Sequence, residues 1–195
     1  MGVTFDNKEQ RFVFDFEHDG KDDLVSLTGD CYQVEAFGRC FYYGYEFSDQ
    51  VDGSVRSAFI KHVKFTEDLQ NNPDLTHFIK KAIDNLNRRI NLYDYNLVVM
   101  PESSSRVNQY MLRYIYRFAQ PMLRKMELVK SLSTIEQDKQ LCATIRKQNI
   151  LVMDDVTTSG STLNEVLRAL RILNDDNEIT IFSLLGRKDL MAEAM

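Results

Sequence analysis

The apolar positions change period along the chain, and each change marks an element. Leu163, Val166, Leu167 and Leu170 recur at intervals of three and four, which places them on one face of a helix over about 163–173. Ahead of that helix stand Ile150, Leu151, Val152 and Met153, four apolar residues without a polar break. That is how a strand buried on both faces of a parallel sheet reads. Residues 96–101 repeat the pattern before a second helix reaching about Ala119, and residues 178–185 repeat it near the C-terminus. Strands alternating with helices predict an α/β core built on a parallel sheet.

The first part of the chain reads differently. Residues 11–16 alternate cleanly, residues 23–28 are a second candidate strand, and the aromatic run 40–47 is a third. His18-Asp19-Gly20 and Gly29-Asp30 are turn signals between them, so a small antiparallel sheet or set of hairpins is expected over residues 2–47. A polar loop over 48–54 leads to a short helix carrying Phe59, Ile60 and Val63, which closes at Lys64-Phe65. From Asp74, behind Pro73, the residues Leu75, Phe78, Ile79, Ala82, Ile83 and Leu86 form the apolar stripe of a longer helix. Lys80, Lys81, Arg88 and Arg89 fall off the stripe and read as a solvated basic face. A strand is expected within 122–129, followed by a polar, weakly patterned segment over 130–147. The chain thus divides into an N-terminal α+β region, residues 1–93, and an α/β core, residues 94–195.

Composition narrows the class. A chain of 195 residues, 44% hydrophobic and 27% charged, has enough apolar material for a folded core. The formal net charge of −5 disfavours bulk attraction to nucleic acid. No run approaches the roughly 20 apolar residues of a membrane span, and the N-terminus lacks a signal pattern, so a cytoplasmic protein without a membrane partner is expected. Cys31, Cys40 and Cys142, odd in number, widely spaced and without a Cys-x-x-Cys pair, read as reduced and mostly buried, and His18, His62 and His77 do not supply ligand spacing for a structural zinc.

The chemistry concentrates where the strand at 150–153 ends. Asp154 and Asp155 are followed by Val156, Thr157, Thr158, Ser159, Gly160, Ser161 and Thr162, and then by the helix. Backbone N–H groups and hydroxyls at a helix N-terminus suit an anion such as a phosphate monoester. Two carboxylates would repel that phosphate, so they must face something electropositive or rich in donors, such as sugar hydroxyls or a magnesium ion. A solvated turn with a capping residue explains Ser161 or Thr162, but it leaves the acid pair without a task. The loop lacks the lysine of a Walker A motif, which disfavours a nucleotide triphosphatase.

The run of residues 150–162 resembles the phosphoribosyl-pyrophosphate motif of type I phosphoribosyltransferases: apolar strand, two acids, small-residue loop. The resemblance implies that family's Rossmann-like parallel-sheet fold and a donor, phosphoribosyl pyrophosphate, bound with Mg2+. It casts Asp154 and Asp155 as the catalytic acids on the ribose hydroxyls, meeting the metal through those hydroxyls or through water. It casts residues Val156, Thr157, Thr158, Ser159, Gly160, Ser161 and Thr162 as the phosphate cradle. By position, Ser103, Ser104, Ser105 and Arg106 would hold pyrophosphate, and Lys130, Lys139, Arg146 and Lys147 would lie in or beside a mobile lid. Arg106 with Asn108-Gln109, and residues 43–65, also look loosely like the competence protein F-like branch.

The activity implied by the resemblance is that of a magnesium-dependent pentosyltransferase of nucleotide salvage, moving ribose 5-phosphate to a nitrogenous acceptor. The alternative is a regulatory protein that binds the same donor or a nucleotide without transfer. Thr158 stands where the 6-oxopurine branch usually has an aspartate, which disfavours those bases. No long C-terminal hood follows the last strand, so residues 1–93 are the candidate hood. A homodimer stays open. The reading requires that the acid couple face the ligand and that the bend leave room for an anion.

Overall fold

The computed structural model describes residues 2–36, 38–46, 51–66, 69, 71–101, 105–119, 124–128, 146–173 and 176–186. Nine strands and four α-helices lie among them: β1 Gly2–Asp6, β2 Arg11–His18, β3 Lys21–Thr28, β4 Tyr32–Ala36, β5 Arg39–Glu46, α1 Gly53–Lys64, α2 Pro73–Arg89, β6 Leu97–Pro101, α3 Arg106–Ala119, β7 Arg124–Leu128, β8 Asn149–Val156, α4 Ser161–Leu173 and β9 Glu178–Gly186. The fold is mixed α/β, as the alternating core elements predict.

Two sheets form. β1, β2 and β3 make the expected antiparallel sheet. The larger sheet has six strands in the order β4-β5-β9-β8-β6-β7. All of its pairings are parallel except that of β4 with β5. Here the structure departs from the sequence expectation, because the third aromatic strand belongs to the core sheet and not to the N-terminal one. The reason lies in its composition. Phe41, Tyr42, Tyr43, Gly44 and Tyr45 are buried without alternation, which suits a strand covered on both faces. Gly44 is required by that cover, since a Cβ there would lie 2.7 Å from the Ala82 Cβ of α2. Residues 1–93 thus give two strands to the sheet of the core.

Side-chain alternation sorts the core onto the two faces of this sheet. Val98, Met100, Leu151 and Met153 meet α1, α2, α3 and the small sheet, whereas Leu97, Val99, Ile150 and Val152 meet α4. The helices begin where local chemistry stops the preceding chain. Asp52 caps α1 by accepting from the Ser54 N–H at 2.8 Å, so this helix starts inside the expected 48–54 loop. Asn72 caps α2 at Leu75 with Pro73 in the first turn, an arrangement that costs no helical hydrogen bond. The basic face of α2 is only partly free in water: the Lys81 ammonium sits 4.2 Å from the Phe5 ring centre and covers the small sheet with its stem. The short edge strands β1 and β4 leave no period in the sequence, because each carries only two or three apolar positions.

Phe12 of β2 joins the two sheets. It is buried and packs edge-on to Tyr45 and Phe78, with ring centres 5.8 and 5.1 Å away. Phe12→Ala should lower the unfolding free energy by about 3–5 kcal/mol, read as an earlier urea midpoint. The transition should stay single, because the cavity opens between elements that unfold together.

Candidate active site

The chain order around β6 and β8 creates a crevice. β7 lies on one side of β6 and β8 on the other. α3 leaves β6 toward one face of the sheet, and α4 leaves β8 toward the opposite face. The loops after the two strands therefore part at their C-terminal ends, the place where open α/β sheets receive ligands.

The loop after β8 is tied down at its start. The Thr157 N–H donates to the Leu185 carbonyl at 2.9 Å, and the Thr157 hydroxyl hydrogen-bonds the buried Ser183 hydroxyl of β9. Gly160 turns the chain with φ +72°, a conformation open to glycine at little cost. Its carbonyl accepts from the Asn164 N–H at 2.8 Å, which makes Gly160 the N-cap of α4. The next N–H groups belong to the first helical turn and have no carbonyl four residues earlier to bond. Ser161 N–H reaches Ser159 Oγ at 3.4 Å, and the two hydroxyls lie 3.2 Å apart. Thr158, Ser159 and Ser161 are exposed. A small cavity of about 30 Å³ runs from Asp154 and Val156 along residues 157–163, so an anion larger than a water would sit at the exposed mouth formed by these hydroxyls.

The two acids do not share this place. Asp154, 6% exposed, lines the loop cavity and accepts from Asn108 Nδ2 of α3 at 3.4 Å and from the Asp155 N–H at 2.9 Å. Asp155 is fully buried, on the side of the sheet where α1 packs, and the Lys64 ammonium lies 3.2 Å from its Oδ1. Of the two acids expected to face the ligand, Asp154 alone lines the loop cavity, because adjacent residues of a strand point to opposite faces. Burial, then the charge of Asp155, push the Asp154 carboxyl up to about 7, against the opposing effects of Lys64, the Asp155 N–H and Asn108.

The second loop is described only at its end. Ser105 is buried and Arg106 is exposed at the start of α3, on the far side of the crevice from the Thr157 loop. Ser103 and Ser104 lie outside the described residues, as do Lys130 and Lys139 of the expected lid, whereas Arg146 and Lys147 form a turn before β8. Among the described residues no group of three or more His, Cys, Asp or Glu side chains could hold a metal ion. For Mg2+ the arrangement offers one carboxylate on the wall of the loop cavity, Asp154. Magnesium is commonly held by one or two carboxylates plus ligand oxygens, so Asp154 fits and Asp155, already facing an ammonium, does not. A larger cavity of about 250 Å³, lined by Asp94, Tyr95, Asn149 and Glu178 among others, lies at the opposite edge of the sheet, where β6, β8 and β9 begin.

Three residues of the site were not assigned from the sequence. Asn108 was legible, since it shares the helical face of Met111, Leu112 and Ile115 as a polar member of a buried stripe. Ser183, a buried hydroxyl inside an apolar strand, carried a similar signal. Lys64 carried none, because a lysine ending a helix already has a sufficient reason in the helix dipole.

No protein-family model matches the chain, and no curated protein matches it. Among solved structures it is similar to a hypoxanthine-guanine-xanthine phosphoribosyltransferase, at 16% identity over 58% of this chain and 62% of that one, with a TM-score of 0.40. It is also similar to a hypoxanthine phosphoribosyltransferase from Staphylococcus aureus, at 18% identity over 58% and 65% of the two chains, with a TM-score of 0.41. An orotate phosphoribosyltransferase from Mycobacterium tuberculosis H37Rv is similar at 14% identity over 84% and 92%, with a TM-score of 0.41. The chain spans less than two thirds of the length of the first two.

The Asp154 environment has a pH signature. Its carboxyl is raised in the folded chain above the unfolded value of about 4. The folded state therefore holds the extra proton between about 4 and about 7, and its stability falls as pH rises through that window. Asp154→Asn cannot ionise and should flatten the fall. Thermal melts across the window should show the wild type losing up to about 1.4 kcal/mol per pH unit relative to the variant.

Proposed function

We propose that the chain is a phosphoribosyltransferase, moving ribose 5-phosphate from phosphoribosyl pyrophosphate to a nitrogenous acceptor with release of pyrophosphate. The observation that supports this reading best is the Thr157–Thr162 bend, which lies at the C-terminal end of a central parallel strand with the Asp154 carboxyl on its wall.

In this reading the exposed hydroxyls of Thr158, Ser159 and Ser161 and the first N–H groups of α4 take the 5-phosphate, where the helix dipole is positive. Fixing that end holds the sugar while the bond at its anomeric carbon breaks. Asp154 accepts from the ribose hydroxyls, and in its ionised form its charge favours the cation that develops on the ring. Asn108 orients Asp154 from across the crevice. Arg106, exposed at the start of α3, would meet the departing pyrophosphate. A magnesium ion arriving with the donor would neutralise that leaving group, with Asp154 as its protein carboxylate. Thr158 is a poor base near neutral pH, so 6-oxopurines are the less favoured acceptors.

A second reading, a protein that binds the donor or a nucleotide for regulation without transfer, is favoured by the inward turn of Asp155, which leaves one acid at the bend. Incubation with donor, magnesium and a panel of nucleobases separates the two. Release of pyrophosphate with any base supports transfer. Donor binding by calorimetry with no release across the panel supports the regulator, and the absence of binding sinks both. Where turnover is found, Asp154→Asn should lower kcat by on the order of 100-fold without loss of the folded state, measured by continuous pyrophosphate assay beside a circular-dichroism melt.

A further inference from the structure

α3 carries a charge pattern that the bend and the small sheet do not use. Val107, Met111 and Ile115, all fully buried, anchor this helix to the core. On its opposite side the residues facing water are Arg106, Gln109, Arg113 and Arg117, whose spacing of three and four sets them in one line about 16 Å long. Three of the four are arginine, and the helix contains no acid. α2 and α4 mix both signs, with Asp74 and Asp84 in the first and Glu165 in the second. Local helix chemistry works against the line on α3: Arg106 sits at the positive end of the dipole, and Arg113 and Arg117, one turn apart, repel each other. Among the described residues no ion pair ties Arg113 or Arg117 to a carboxylate. Aromatic rings flank the line. Tyr110 and Tyr114 are half-buried beside it, and the Tyr114 hydroxyl donates to Asp84 Oδ1 at 3.0 Å, which steadies the ring. The Arg117 guanidinium and the Lys80 ammonium border that ring, 5.1 and 5.9 Å from its centre.

We infer that this face of α3 binds a single-stranded nucleic acid: the arginine line tracks its phosphates, and the tyrosines beside the line stack its bases. A polyanion gains from every cation in the line by releasing its own counterions, whereas a lone phosphate would use only one of them. At about 3.4 Å per nucleotide of a stacked strand, the line spans about five nucleotides. Half-exposed rings serve unpaired bases and have no such use on a duplex, whose bases are already stacked on one another. Part of the chain's negative surplus is segregated on the outer face of the small sheet, where Asp15, Glu17 and Asp22 are exposed. The inference is separate from the transfer reading, since Arg113 and Arg117 lie about two and three turns beyond Arg106 along the helix.

Fluorescence anisotropy of the full chain tests it, with labelled oligouridylate and oligothymidylate of about 12 nucleotides as the probes. In roughly 50 mM salt at least one of the two strands should bind in the micromolar range, and added salt should weaken binding with a log–log slope of about −2, as three phosphate contacts to a single strand require. Arg113→Gln with Arg117→Gln changes two exposed positions and should leave the thermal melt within about 2 °C. It should weaken binding by at least about 10-fold and bring the slope to about −0.7. Tyr114→Leu should weaken binding by on the order of 10-fold with the slope unchanged; should that variant fail to fold, Tyr110→Leu takes its place with the same expected result. No binding of either strand, equal binding of a duplex of the same length or of inorganic polyphosphate, or a double arginine variant that binds like the wild type overturns the inference. So does a folded tyrosine variant with undiminished affinity. None of these titrations contains the donor, so a failure to release pyrophosphate has no bearing on them.

Discussion

Two neighbouring residues on one strand cannot look the same way. The pleat sends Asp154 to the face where α4 packs and Asp155 to the face of α1, α2 and α3. β8 lies between two parallel neighbours with both faces covered, so each acid has to be accommodated in its own near-dry surroundings. One is met by Asn108 and the loop cavity, the other by the ammonium of Lys64. Burying a bare carboxylate is costly enough that these two accommodations organise the end of the sheet.

The bend after the acids depends on the same strand. It leaves β8 and is fastened to the adjacent β9 through Thr157, by its N–H to Leu185 and its hydroxyl to Ser183. Gly160 supplies the left-handed step that lets α4 begin at once. A loop held at both ends presents its hydroxyls and free N–H groups with little ordering left to do when an anion arrives.

Much of this was readable in advance, and the boundary of legibility has a physical origin. The buried strands β6, β8 and β9, and the helices α2, α3 and α4, announced themselves by uninterrupted apolar runs and by the spacing of three and four, which depend only on local order. The aromatic strand β5 was placed in the wrong sheet because its membership is decided by a partner far along the chain, and the unbroken burial of Phe41 to Tyr45 was the one local clue. At the site, the identity and order of the loop residues were legible, because a helix N-terminus and a hydroxyl-rich bend lie in one stretch of sequence. The separation of Asp154 from Asp155 followed from strand alternation and could have been foreseen. The arrival of Lys64 could not, since nothing in residues 53–65 says which buried acid the helix will meet.

The pairing of β5 with β9 has a temporal side. Phe41 to Glu46 bond to Ile181 to Gly186, so the aromatic strand cannot join the parallel part of the sheet until β9 has been made. Closing the long loop between β5 and β9 is slow, because its entropy must be surrendered before the contact repays it. During synthesis a greasy run of tyrosines and phenylalanine therefore waits without its neighbour, and the antiparallel hairpin with β4 is the shelter the nascent chain has at hand.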